Sequence, residues 1–209
     1  MIISVDGTIG SGKTTLTSLL ALHFNGVDFK YSPSTHEEKP SKVVDFISTY
    51  YEQRDSLKKL IQVHDKKGYV SNIMLLHNLI RNMLIRSGEH DSEYVFIDSF
   101  WDPFWHFESK YYDEYFPVIH KCVPLPDISL FLDVSAERSI RRASMRDPKT
   151  KYTADANSIE KKMNAFKIWA NTNIPNFYLI QANISTPEVL RQAITIIERN
   201  IEELSLIHI

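Results

Sequence analysis

Cysteine, single-sign charge and long apolar runs are all scarce in this sequence, and each scarcity removes a class of protein. One cysteine, Cys122, stands among 209 residues; a lone thiol excludes an internal disulfide framework and suits a reducing compartment. Cys122 reads as structural rather than as a nucleophile. No apolar stretch reaches the length of a membrane span, and the N-terminus lacks a basic region followed by an apolar one, Met1 already opening a strand pattern. A soluble, cytoplasmic protein is expected. Lysine and arginine total 24 against 26 aspartates and glutamates, a formal charge of −2, so no global field points to nucleic acid or a membrane surface. The expected partner is a small molecule. No internal repeat or low-complexity tract is visible, and the length fits one domain, residues 1–209, with a sizeable core.

Glycine is scarce as well, six residues in all, yet three of them fall in one short stretch. Residues 7 to 14 read Gly7-Thr8-Ile9-Gly10-Ser11-Gly12-Lys13-Thr14, a complete G-x-x-x-x-G-K-[ST] loop. Such a loop turns backbone N–H groups toward the phosphates of a nucleotide, its lysine reaches the β/γ oxygens, and its last hydroxyl ligates Mg²⁺. The context agrees. Met1 to Val5 is an apolar run suited to a buried parallel strand, and Leu16, Leu19, Leu20 and Phe24 follow at helical spacing. The loop therefore joins a strand to a helix N-terminus, whose partial positive charge adds to the anion site. Gly7 through Thr14, with Thr15, are the expected nucleotide-binding residues.

Five segments have strand character: Ile2–Val5, Val27–Tyr31, Tyr94–Asp98, Ile128–Val134 and Asn176–Gln181. Helical patterns lie between them at roughly 13–24, 41–62, 71–87, 136–145, 155–172 and 187–204. This alternation predicts a doubly wound α/β fold, a five-stranded parallel sheet with helices on both faces and ligands at the carboxyl ends of the strands. The polar segment Arg146 to Asn157, with Asp147-Pro148 as a turn signal, reads as a mobile loop. Ile201 to Ile209 reads as either a helix end or a tail.

Several further stretches gain weight from their order. Asp6 precedes the first loop glycine; Leu75-Leu76-His77-Asn78-Leu79-Ile80-Arg81 lies in a helical pattern; Val95-Phe96-Ile97-Asp98 ends a strand in an acid; Leu125-Pro126-Asp127-Ile128 leads into a strand running to Leu132-Asp133. Arg138, Arg142 and Arg146 then recur at i+4. Together these resemble the thymidylate kinase and deoxynucleoside kinase family, over nearly the whole chain. The loop resembles the deoxynucleoside kinase version, and the other landmarks resemble thymidylate kinase, with its Leu-Leu-Phe-x-x-x-Arg helix, its strand ending in Asp-Arg-Tyr and its Pro-Asp-x-x-x-x-Leu strand. The resemblance implies a P-loop three-layer sandwich, a small lid at about residues 141–157, ATP and Mg²⁺, and a homodimer. Two departures stand out. Asp98-Ser99-Phe100 replaces Asp-Arg-Tyr, and Tyr31-Ser32-Pro33-Ser34-Thr35 lacks the arginine that thymidylate kinases carry near the second strand. Both missing arginines grip the acceptor monophosphate in thymidylate kinases, and Arg–phosphate forks are the strong form of that contact. Either the acceptor carries no phosphate, or Lys30, Lys39 or Lys42 holds it.

Phosphoryl transfer needs positioning and charge neutralisation more than covalent help. Lys13 neutralises phosphate charge, while Asp98, at a strand end facing the loop, holds the Mg²⁺ shell with Thr14 or accepts the acceptor's proton. Asp6 either supports the metal's water shell or bonds loop N–H groups. Arg142 and Arg146 are the lid cations expected to act in the transition state, with Arg138 on the nucleotide; a solvated basic face is the bland alternative. On the 71–87 pattern Met74, His77, Asn78 and Arg81 share one face, and Met74, Asn78 and Arg81 are the candidates for reading a nucleobase. His77 reads as a partly buried structural histidine. Phe100 and Trp101, which open an aromatic run, either stack on the substrate's base or sugar or pack beneath the lid or at a dimer interface.

The leading expectation is an ATP-dependent kinase acting on a pyrimidine deoxynucleoside monophosphate such as dTMP. A deoxynucleoside kinase acting on an unphosphorylated nucleoside is the alternative within enzymes. A non-catalytic nucleotide-binding module is the alternative from another class.

Overall fold

The computed structural model describes residues 1–29, 92–101, 109, 112–113, 116, 125–146 and 155–207. The chain separates into two compact units, one of Met1–Lys30, Asp91–Tyr112 and Leu125–Ile209, the other of Tyr31–His90 and Asp113–Pro124. Every element below belongs to the first. In chain order they are β1 (Ile2–Gly7), α1 (Lys13–His23), β2 (Val27–Phe29), β3 (Val95–Asp98), β4 (Ile128–Asp133), α2 (Ala136–Arg146), α3 (Ala156–Asn173), β5 (Phe177–Gln181) and α4 (Thr186–Ile207). The five expected strands are present, with ends shifted by one or two residues. The patterns at 41–62 and 71–87 lie outside the described residues.

The strands form one parallel sheet in the order β2-β3-β1-β4-β5. β1 is central, and the chain leaves it toward the β2 edge and later leaves β3 toward the β4 edge. Neighbouring strands whose connections part in opposite directions leave a crevice at their carboxyl ends, the usual ligand site of such sheets. The phosphate loop follows β1 at that crevice, and Asp98 ends β3 beside it, in register with Val5.

Side-chain parity sorts the two faces. Ile3, Val5, Phe96, Ile128, Leu130, Leu132 and Ile180 point to one side and pack with Leu16 and Leu20 of α1 and Val189, Ala193 and Ile197 of α4. Residues of opposite parity meet α3: Phe131 lies 5.6 Å from Phe166 and 6.0 Å from Phe177, ring centre to ring centre. Tyr112 joins this group, 5.2 Å from Trp169 and 6.0 Å from Phe166. Burial pushes the Tyr112 hydroxyl up to about 12. The result is the expected three-layer α/β sandwich with helices on both faces.

Local signals place the helix ends. Asp155 caps α3 by accepting the N–H of Asn157 at 3.1 Å. At α4, Glu188 accepts from the Ser185 N–H at 3.1 Å and the Ser185 hydroxyl at 2.6 Å, bonds that hold its carboxyl below the usual range. The C-terminal segment is helical through Ile207. Asn176 has φ +50°, so the chain turns there and β5 starts one residue later than the apolar pattern suggests. Among the described residues no helix is long and apolar enough to cross a membrane.

Candidate active site

The loop after β1 is held open by a set of bonds that occupies its carbonyl groups. Lys13 Nζ donates to the Gly7 and Thr8 carbonyls, each at 2.9 Å, and the Ser11 N–H donates to the Thr8 carbonyl at 3.1 Å. The Ile9 carbonyl accepts from the Ser139 hydroxyl on α2. Three consecutive carbonyls are thus engaged by donors of the protein, which suits a loop whose N–H groups serve an anion. Gly12 has φ +104°, where a side chain is strained, and a Cβ there would meet no atom within 4 Å. It borders open space at the start of α1, where the helix end favours negative charge. Ser11 Oγ is buried and has no hydrogen-bond partner among the described residues. An orphaned hydroxyl beside such a concavity fits a phosphate group.

At the other end of the crevice, the structure brings together two residues expected to work with a metal. Thr14 Oγ1 donates to Asp98 Oδ2 at 2.6 Å, and Ser99 Oγ donates to Asp98 Oδ1 at 2.7 Å. Asp98 is 3% exposed. Its carboxylate is thereby oriented from both oxygens, and the one facing Thr14 looks onto the first turn of α1. Thr15, next in α1, is exposed. Ser99 itself has φ +67° and donates its N–H to the Val5 carbonyl at 3.0 Å, so the chain turns sharply off β3 across the end of β1.

Asp6 has the opposite parity from Val5 and points to the other face of the sheet. Fully buried, it accepts the main-chain N–H of Trp101 at 2.6 Å. This partner comes from the segment after β3 rather than from the phosphate loop. Trp101 is 1% exposed, and its indole N–H donates to Ser129 Oγ of β4 at 3.0 Å. Phe100 is also buried, its ring 4.8 Å from that of Trp101 in an edge-to-face arrangement. Both aromatic side chains are thus buried, Phe100 at 6% exposure.

α2 carries the arginine series. Arg138 donates to the Asn183 carbonyl in the turn after β5, and Asn183 Oδ1 accepts the Ser135 N–H at 3.4 Å, tying the start of α2 to that turn. Arg142 is half-buried, and its guanidinium is held below the usual value first by burial and then by the neighbouring charges of Arg138 and Arg141. A cation kept among cations gains from a polyanion brought to it. Arg141 is exposed. Arg146 closes α2, its side chain outside the described residues, as are Met74, His77, Asn78, Arg81, Lys30, Lys39, Lys42 and the lid segment 147–154.

Sequence reasoning missed Ser139 and Asn183. Ser139 sits among the arginines on α2 with nothing in its neighbours to mark it, and its partners Thr8 and Ile9 are about 130 positions away, separations of 131 and 130.

Fold and site together define the class: a parallel α/β sheet with a phosphate loop after its central strand, the architecture of P-loop kinases. Among solved structures, a deoxyadenosine kinase from M. mycoides with dCMP and dCDP bound superposes with a TM-score of 0.61 at 17% identity, over 95% of this chain and 100% of the other. A thymidylate kinase from Candida albicans gives 0.61 at 15% identity, over 95% and 91%. The sequence then names the family. Residues 3–207 match the deoxynucleoside kinase family, and the chain belongs to it. It is 24% identical over 207 residues to a probable thymidylate kinase 1 of Saccharolobus solfataricus, covering 96% of this chain and 98% of that one. It is 29% identical over 147 residues to a probable thymidylate kinase of Methanococcus aeolicus, covering 70% and 68%. The protein is a nucleoside or nucleotide kinase.

Proposed function

We propose that the protein transfers the γ-phosphoryl group of ATP to the 5′-hydroxyl of a deoxynucleoside. The observation carrying this reading is the end of β3. Asp98 is buried and oriented by the Thr14 and Ser99 hydroxyls, and the next positions are Ser99 and Phe100, where a phosphate-gripping arginine stands in thymidylate kinases. A hydroxyl acceptor needs a carboxylate to take its proton; a monophosphate acceptor is already anionic and needs cations. Asp98 supports the first requirement. In the step, the acceptor oxygen bonds to Pγ as the Pγ–O bond to ADP breaks, and the hydroxyl proton passes to Asp98.

The remaining residues act by position and charge. The loop Gly7–Thr14 cradles the β- and γ-phosphates, Lys13 shifts from its loop carbonyls to phosphate oxygens, and Arg142 and Arg146 neutralise charge on the transferring group. On this reading Asp98 serves the acceptor's proton, and the Thr14 hydroxyl, a hard oxygen donor 2.6 Å from it, would hold Mg²⁺. Among the described residues no three of His, Cys, Asp and Glu gather as a metal-binding group. The chemistry such an ion would supply is the offsetting of negative charge on the triphosphate. Arg81 reads the base by family resemblance, with Met74 and Asn78 on the same face of the helical pattern, and the same resemblance supports a homodimer.

A second reading, transfer to a deoxynucleoside monophosphate such as dTMP, is favoured by the near full-length similarity to a probable thymidylate kinase. A panel of deoxynucleosides and their monophosphates, each with ATP and Mg²⁺ and scored for ADP and product, separates the two. Product from nucleosides is expected, and turnover confined to monophosphates overturns the hydroxyl-acceptor reading.

A further inference from the structure

Helix α2 does more in this structure than carry arginines past the phosphate loop. Ser139, on its second turn and buried, donates its hydroxyl proton to the Ile9 carbonyl. A hydroxyl has one proton to give. The contact between Ser139 Oγ and Thr8 Oγ1 must therefore be donated by Thr8. A directed chain results, from the Thr8 hydroxyl to Ser139 Oγ and from Ser139 to the Ile9 carbonyl. At the next position the fit is without clearance, for a Cβ on Gly10 would be driven into the Ser139 carbonyl oxygen and would lie 3.1 Å from the Ala143 nitrogen. The φ of +75° at Gly10 disfavours a side chain for a second reason.

The consequence follows from peptide planarity. In a trans peptide the C=O and the following N–H point in opposite directions. Drawing the Ile9 carbonyl toward α2 thus directs the Gly10 N–H away from the Ser139 hydroxyl. The Gly7 and Thr8 carbonyls are drawn aside by Lys13 and Ser11 within the loop, whereas the Ile9 carbonyl is held from another element. We infer that Ser139 is a positioning residue for triphosphate binding: its hydroxyl sets the Ile9–Gly10 peptide, and through it the start of α2 and the phosphate loop form one piece. The inference rests on the proposed use of the loop for ATP. Motion of the arginine-bearing helix against the loop must then occur beyond Ser139, toward Arg142 and Arg146.

The test compares the full-length protein with Ser139→Ala and Ser139→Cys, the latter keeping the volume with a weak donor. ATP binding is measured by calorimetry without acceptor, alongside thermal midpoints and the KM of each substrate. Ser139→Ala is expected to weaken ATP about tenfold, near the ~1.4 kcal/mol that a tenfold change represents, with Ser139→Cys in between and the acceptor KM unchanged. A lowered thermal midpoint with wild-type ATP affinity overturns the inference, since that is what a merely structural bond gives. If Ser139→Ala does not fold, wild-type affinity in Ser139→Cys overturns it equally. Failure of the wild-type protein itself to bind ATP defeats the donor reading and this inference with it, a different result from unchanged affinity in the variants.

Discussion

The two faces of the sheet are built from the same strands and do different work. Toward α1 and α4 the strands present Ile3, Val5, Ile128, Leu130 and Leu132, an aliphatic layer. Toward α3 they present Ser4, Asp6, Ser129 and Phe131, and this layer is aromatic with polar groups threaded through it. The carboxylates at the strand ends follow the same parity. Asp98 shares the side of Val5 and meets Thr14 of α1, while Asp6 points away and holds the Trp101 backbone. Two buried aspartates on neighbouring strands thus have separate tasks: one faces the phosphate loop, the other fastens the segment behind it. A single step along β1 decides between them, because successive side chains of a strand point to opposite faces.

The largest expected effect lies on the loop. Lys13→Ala removes the cation that spans the Gly7 and Thr8 carbonyls, and should lower kcat/KM by about a thousandfold with little change in thermal midpoint. The contrast is sharpened on the aliphatic face. Leu130→Ala, at a fully buried position, should cost about 2–5 kcal/mol in a denaturant titration while leaving kcat/KM per folded molecule near wild type. If it lowered kcat/KM as Lys13→Ala does, the separation of this aliphatic layer from the phosphate loop would fail. The smallest effect is expected on the polar face. Trp101→Phe keeps a ring but loses the bond to Ser129, and should cost about 1 kcal/mol. Its kcat/KM per folded molecule should stay near wild type, because the Trp101 N–H that Asp6 holds remains in place; a changed ATP KM would tie the polar face to the donor side.

Much of the donor side was legible because it is local. The strand, loop and helix run without a break from Ile2 to His23, and the glycines, the lysine and the hydroxyl stand at fixed offsets within it. Strand and helix positions followed from periodicity, with errors at the ends where a single residue such as Asn176 turns the chain. The role of Asp98 was legible only as a strand end near the loop; its bond to Thr14 spans 84 positions. Phe100 and Trp101 illustrate the limit. An aromatic run after a strand is equally compatible with stacking on a substrate and with packing beneath a lid or at a dimer interface, and only the tertiary structure shows these two side chains buried, beside Asp6 of β1 and Ser129 of β4. The departures at Ser99 and Phe100 were readable as missing cations, yet the turn at Ser99, with its positive φ and its bond to Val5, was not.

By itself the sequence determined the phosphate loop, the alternation of strands and helices, and the family, since each depends on residues close together or on patterns that survive without neighbours. The tertiary structure alone decided which residues face one another across the crevice. Thr14 meets Asp98, Trp101 meets Asp6, and Ser139 reaches Thr8 and Ile9 because strand order and side-chain parity bring distant segments within hydrogen-bond range. Parity is written in every strand of the sequence, but its meaning depends on the helix that covers each face. That covering is a property of the folded chain.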